Sequence, residues 1–129
     1  GTRTKQQCQQ LITEDFSGWL VTDGYGAYRH RERRQRCLAH LIRKAVAITQ
    51  SVHRRAARIG QLILTSLKDF IDAINQGQSC VELEKIINSL QAICYLAKKV
   101  HHQKLKALAA EILNDWDAVI AAANHPDLP

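Results

Sequence analysis

The chain is poor in the residues that build several fold classes. It has only two prolines, and aromatic residues make up 5% of its 129 positions. That composition leans away from an all-β sandwich. No run approaches the roughly 18 consecutive apolar residues of a membrane span, and no signal-peptide pattern opens the chain, so a cytosolic location without a membrane partner is expected. The four cysteines, Cys8, Cys37, Cys80 and Cys94, lie far apart with no C-x-x-C among them. A disulfide framework is not expected without a secretory context, and reduced, mostly buried thiols are. Internal repeats and low-complexity tracts are missing too. What remains is 46% hydrophobic and 23% charged, as in a soluble globular protein with a real core.

Positive charge is plentiful and uneven. Between Arg29 and Arg58 lie ten arginines and lysines against Glu32 alone. That is a local excess of nine positive charges in a chain of formal net charge +6, so the rest is net negative. Charge gathered this way has the form of an electrostatic footprint for phosphate, although a solvated helix face has the same composition. The predominance of arginine favours bidentate contacts to phosphate or carboxylate.

Periodicity gives the outline. Residues 5–15 read as a short helix closed by Ser17-Gly18. Trp19 to Thr22 is a short strand followed by turn chemistry at Asp23-Gly24, and Tyr25 to Tyr28 form a helical turn. Gln35 to Cys37 suit a second strand. Leu38, Leu41, Ile42, Ala45, Val46 and Ile48 then start a helical pattern, which Val52, Ala56, Ile59, Ile63, Leu67, Phe70 and Ile74 continue. Ser51 is the expected N-cap at a break near Gln50, and Gly77 the expected stop. Ser79-Cys80-Val81-Glu82 has the form of a capping box for a third helix burying Leu83, Ile86, Ile87, Leu90, Ile93, Cys94 and Ala97. A fourth helix carries Leu105, Leu108, Ala109, Ile112, Leu113, Trp116, Val119 and Ile120 until His125-Pro126 breaks it. The fold class is therefore mainly α, three to four antiparallel helices appended to a small α/β piece of one or two short strands.

Few residues carry chemistry. Asp23, delivered by a strand into a glycine turn, suits metal ligation or base chemistry, and equally an ordinary Asp-Gly turn. Cys37 and His40 form C-x-x-H, which could supply two zinc ligands but lacks a second pair at useful spacing. Packing of a helix start against the sheet, or His40 touching phosphate, are the other readings. Nothing supports a Cys–His nucleophile. Tyr25 and Tyr28 pack on the sheet or stack on bases, and Trp116 belongs to the core.

Two blocks are more specific together. Gly18-Trp19-Leu20-Val21-Thr22-Asp23-Gly24-Tyr25-Gly26-Ala27-Tyr28, followed by Gln35-Arg36-Cys37-Leu38-Ala39-His40-Leu41-Ile42-Arg43-Lys44, resembles the catalytic region of the IS66 group of insertion-sequence transposases. The resemblance implies an RNase H-like fold, with residues 1–37 a partial α/β segment and 38–129 a helical insertion. It implies that Asp23 is the second acid of a DDE triad, binding Mg²⁺ or Mn²⁺ in the intact site. It makes Cys37 and His40 structural or substrate-positioning residues, and Arg33, Arg36, Arg43 and Lys44 contacts to the DNA of transposon ends and target. A prokaryotic cytoplasmic protein, nucleoid-associated when bound to DNA, is implied as well.

The family's first acid belongs on a strand well before residue 18, where only Glu14 and Asp15 stand, in a segment that reads as helix. The third belongs to an Asn-Asn-x-x-E-R type motif, which does not occur before Pro129. The expectation is a segment of a transposase whose parent cleaves and joins DNA through two metal ions, itself inactive with one acid. A helical DNA-binding or protein-interaction module with no catalytic role is the alternative. Apolar surface at Trp19 and Val21 leads to the further expectation of a homo-oligomer.

Overall fold

The computed structural model describes residues 20–22 and 34–124, with side chains over 36–123. Strand β1 (Leu20–Thr22) pairs in parallel with β2 (Arg34–Arg36). Leu20 lies opposite Arg34, Val21 opposite Gln35 and Thr22 opposite Arg36. The second strand begins and ends one residue earlier than the pattern suggests. Arg36 therefore closes it, and Cys37 becomes the extended residue that starts a helix. The expected helix at 5–15, the turn at Asp23 and the break at His125-Pro126 lie outside the described residues.

Helix α1 spans Leu38–Thr49, α2 Arg54–Asn75, α3 Cys80–Ala97 and α4 Gln103–Asn114. Two one-turn helices follow, α5 (Trp116–Val119) and α6 (Ala121–Asn124), both packed against β2. Links of four or five residues between α1 and α4 make chain neighbours antiparallel. Helix α1 touches α2 and α4, and α3 touches α2 and α4. Their apolar stripes meet in one buried cluster running from Cys37 to Ala122, with Leu41, Ile63, Leu67, Phe70, Leu90, Leu105, Leu108 and Ile112 at its centre. None of the described helices is long and apolar enough to cross a membrane.

The helix ends refine the periodic reading. Ser51 does not cap α2: His53 does, its Nδ1 accepting from the amide of Ala56 at 3.1 Å. Ser51 Oγ accepts from the amide of His53 instead, at 3.1 Å. Val52, expected on the apolar face, is 99% exposed in the link, and Val46 is exposed on α1. Gly77 adopts φ 65°, the left-handed conformation. The amides of Gly77 and Gln78 donate to the carbonyls of Ile74 and Ala73, so two otherwise orphaned carbonyls are satisfied. Ser79 caps α3 by accepting from the amide of Glu82 at 3.3 Å, while the Glu82 carboxylate faces Lys85 at 3.7 Å. Along α3, Leu83, Leu90, Cys94 and Ala97 are buried, whereas Ile86, Ile87 and Ile93 are half-buried at the rim.

The expected fourth helix is interrupted. It stops at Asn114, Asp115 takes φ −116° and ψ 32°, and Trp116 starts a separate turn, half-buried against the core. Asn and Asp are weak helix residues, and the carboxylate of Asp115 is held by Arg36 at the end of β2. The break thus swings the last apolar residues onto the strand.

Helices α1 and α2 meet closely at Gly60. A Cβ built there would lie 2.7 Å from Cγ2 and 3.1 Å from Cβ of Ile48. Both atoms sit at the stiff branched root of that side chain, so the helices rather than a rotamer must give way. Gly60→Ala should lower stability by about 1–3 kcal/mol, overriding the gain of up to about 1 kcal/mol from alanine's helix propensity. Chemical denaturation of the purified variant measures the sign.

Candidate functional site

The segment from Arg36 to Lys44 places its polar residues at two kinds of position. Arg36, His40 and Lys44 are spaced by four and therefore share one side of the strand end and the helix after it. All three reach Glu111 on α4. Arg36 Nη2 donates to Glu111 Oε2, and Lys44 Nζ donates to Oε1 at 2.7 Å. His40 Nε2 lies 3.5 Å from Oε2, and Arg36 Nη1 lies 3.5 Å from Asp115 Oδ2. The Arg36 side chain is only 4% exposed and that of Glu111 24%.

A guanidinium so deeply buried would cost several kcal/mol without partners, and two carboxylates supply them. The cluster is also balanced, Arg36 and Lys44 against Glu111 and Asp115. Burial pushes the Glu111 carboxyl up, but the hydrogen bonds from Lys44 and Arg36, with their charges, pull it further the other way. It ends below its usual value.

Arg36, expected as a DNA contact, is buried in this geometry. Its guanidinium pairs with the carboxylates of Glu111 and Asp115. Lys44 is exposed but is also held by Glu111. Arg43, one position earlier, is exposed on a different face of α1. Arg33 and Asp23 lie outside the described residues. Cys37 is buried at the start of α1, while Cys80 and Cys94 are free. Burial pushes the Cys94 thiol up to about 12, the behaviour of an inert core residue. Among the described residues no group of three or more His, Cys, Asp or Glu could hold a metal ion.

Two further features went unread in the sequence. Glu111 is the first acid after Glu84, standing at the edge of the α4 apolar stripe, and that isolation was its one visible signal. His102 caps α4 by accepting from the amide of Leu105 at 3.1 Å, as His53 caps α2. The two rings meet edge to face with centroids 5.7 Å apart, and Ser51 Oγ lies 3.3 Å from His102 Nε2. Beside this contact a groove of about 320 Å³ runs between α1 and α4, floored by Ala47, Ile48, Ala107 and Leu108 and edged by Lys44 and Lys104.

Glu111→Gln removes the hub while keeping its shape. At neutral pH the loss should be on the order of 2–3 kcal/mol, since Arg36 and Lys44 both lose the charge of their shared partner. The depressed folded-state value means that Glu111 contributes fully above the unfolded carboxyl value, about 4.3. That contribution disappears as pH falls through the lower folded value. Urea midpoints recorded from pH 7 down to pH 3 should therefore fall less steeply in Glu111→Gln than in the wild type.

No curated protein and no solved structure matched the chain. A family model did, over its whole length. The model of the IS66 family of transposases covers residues 1–129, and the chain belongs to that family.

Proposed function

We propose that this chain supplies the middle acid and the helical insertion of a DDE transposase catalytic core, whose parent enzyme cleaves DNA and transfers strands. The observation that carries the reading is the family match across 1–129, with Asp23 directly after β1 and the C-x-A-H-x-x-R-K block opening α1. The parallel pairing of β1 and β2 supports an RNase H-like origin for residues 1–37, with 38–129 as the insertion. On this reading Asp23 is the catalytic acid, and Arg33 and Arg43 remain DNA contacts. Lys44 shares its charge between Glu111 and the groove. Cys37 and His40 are structural, and Arg36 joins them as a positioning residue that ties strand to insertion. The DNA of transposon ends and target is the substrate, in a prokaryotic cytoplasm and at the nucleoid.

The family implies Mg²⁺ or Mn²⁺ in the parent enzyme. The described residues do not fit such an ion, since they bring no group of three or more candidate ligands together, and the carboxylates of Glu111 and Asp115 are taken by Arg36. Asp23 adds one carboxylate, where a metal held for phosphoryl transfer needs several oxygen ligands. No step is therefore assigned through a metal in these 129 residues, and the polypeptide expressed alone is expected to leave DNA uncut.

The alternative, a helical DNA-binding or interaction module with an incidental acid, draws support from the self-contained core of the helices. A full-length transposase carrying this segment separates the two. Asp23→Asn should abolish strand cleavage of transposon-end DNA, read on a denaturing gel. Wild-type cleavage by that variant would leave the module reading standing. Self-association of the 129-residue chain, proposed from the apolar residues of β1, should give a mass above 14.6 kDa in sedimentation equilibrium.

A further inference from the structure

The charges of the helical region are sorted along its length. Arg54, Arg55 and Arg58 stand exposed on the first turns of α2, while its acids, Asp69 and Asp72, come in its last turns. Helix α3 begins with Glu82 and Glu84 and ends at Lys98 and Lys99. Because α2 and α3 are antiparallel neighbours, the bases gather at one end of the bundle and the acids at the other. The contact of His53 with His102 joins the α1–α2 link to the α3–α4 link, which brings Lys104, on the first turn of α4, to the same basic end.

Among the described residues no carboxylate pairs with these charges. Residues 50–58 and 98–110 contain no Asp or Glu. None of the six cations forms an ion pair with a described residue. The arrangement also works against the helices that carry it. Cations on the first turn oppose the helix dipole, at a cost of about 0.3–1 kcal/mol each where exposed. Helix stability therefore does not account for Arg54, Arg55 and Lys104. The cluster around Glu111 is different, because its bases are balanced by acids.

We propose that this end of the bundle, formed by Arg54, Arg55, Arg58, Lys98, Lys99 and Lys104, is a DNA-backbone contact surface separate from the motif that follows β2. Duplex DNA is the fitting occupant. The six guanidinium and ammonium groups are exposed and spread over three helix ends, which suits a repeated row of phosphates rather than one enclosed anion. The surface adjoins the groove edged by Lys104 on one side and by Lys44, already paired with Glu111, on the other. The inference rests on the transposase reading for its choice of DNA. Cleavage by the full-length protein tests that reading, and duplex affinity of the 129-residue chain tests this one, so either can fail alone.

The experiment is fluorescence anisotropy with a labelled duplex of mixed sequence, titrated with the 129-residue chain across a series of NaCl concentrations. Arg54→Gln/Arg55→Gln/Arg58→Gln alters only exposed side chains, and its thermal melt checks folding. Each lost phosphate contact reduces the salt slope of log K by about 0.9. The triple variant should therefore lose roughly two to three units of slope and about tenfold or more in affinity at 100 mM salt. Lys68→Gln/Lys85→Gln, on the stretch of α2 and α3 toward the acidic end, should change neither beyond a few tenths. An unchanged slope in the triple variant, an equal loss per charge in the control, or tighter binding to phosphatidylserine vesicles than to duplex would each overturn the proposal.

Discussion

The buried guanidinium of Arg36 is the constraint around which the described structure is organised. It closes β2, starts the turn into α1, and reaches α4 through Glu111 and the α4–α5 break through Asp115. Without these carboxylates its burial would cost several kcal/mol, a large share of the roughly 5–15 kcal/mol by which a domain is stable. The pair spans 75 positions of sequence. A strand from the first part of the chain is thereby tied to the far end of the helical region. The interruption at Asp115 follows from the same requirement, because a continuous helix would carry Trp116 to Ile120 away from the strand they cover.

That tie also changes the meaning of the basic run. In sequence, the arginines and lysines from Arg29 to Arg58 form one block. In the fold they divide into groups with different electrostatics. Arg36 and Lys44 are neutralised by Glu111 and Asp115, so their field beyond the surface is small. Arg54, Arg55 and Arg58 sit twenty residues onward at the end of the bundle, where Lys98, Lys99 and Lys104 add to them. Long-range attraction of a polyanion follows uncompensated charge, not the number of basic residues. Among the described residues, the start of α1 is thus the less electropositive of the two regions.

The helices were legible because their apolar residues repeat every three to four positions, and burial of that stripe is what stabilises them. The starts at Leu38 and Cys80 and the stop at Gly77 were legible too, since capping and left-handed glycine are local chemistry. His53 and His102 were not. Histidine is an unusual cap, and its ring serves only because the two links meet and hold each other in place. Glu111 was hidden for a related reason. An acid on the edge of an amphipathic helix looks like ordinary solvated surface until the partner it faces is known. The inward turn of Arg36 was equally unreadable, because a strand-end arginine beside a basic run has the composition of a phosphate contact.

Asp23 stands at the limit of what this chain contributes to chemistry. Local pattern gave it two readings of comparable weight, and membership of the IS66 family shifts that weight toward catalysis. A single carboxylate nevertheless leaves most of a divalent ion's coordination unfilled, so its effect depends on groups that approach from elsewhere. The architecture is suited to such a dependence. The strand next to Asp23 is anchored through β2 and Arg36 to a closely packed helical body, and that body limits how far the acid's strand can shift. A rigid support matters for a site assembled from separate segments, because a displacement of about 1 Å at one ligand weakens the whole arrangement. On the proposed reading, the buried ion pair would act indirectly, by holding the strand that leads to Asp23.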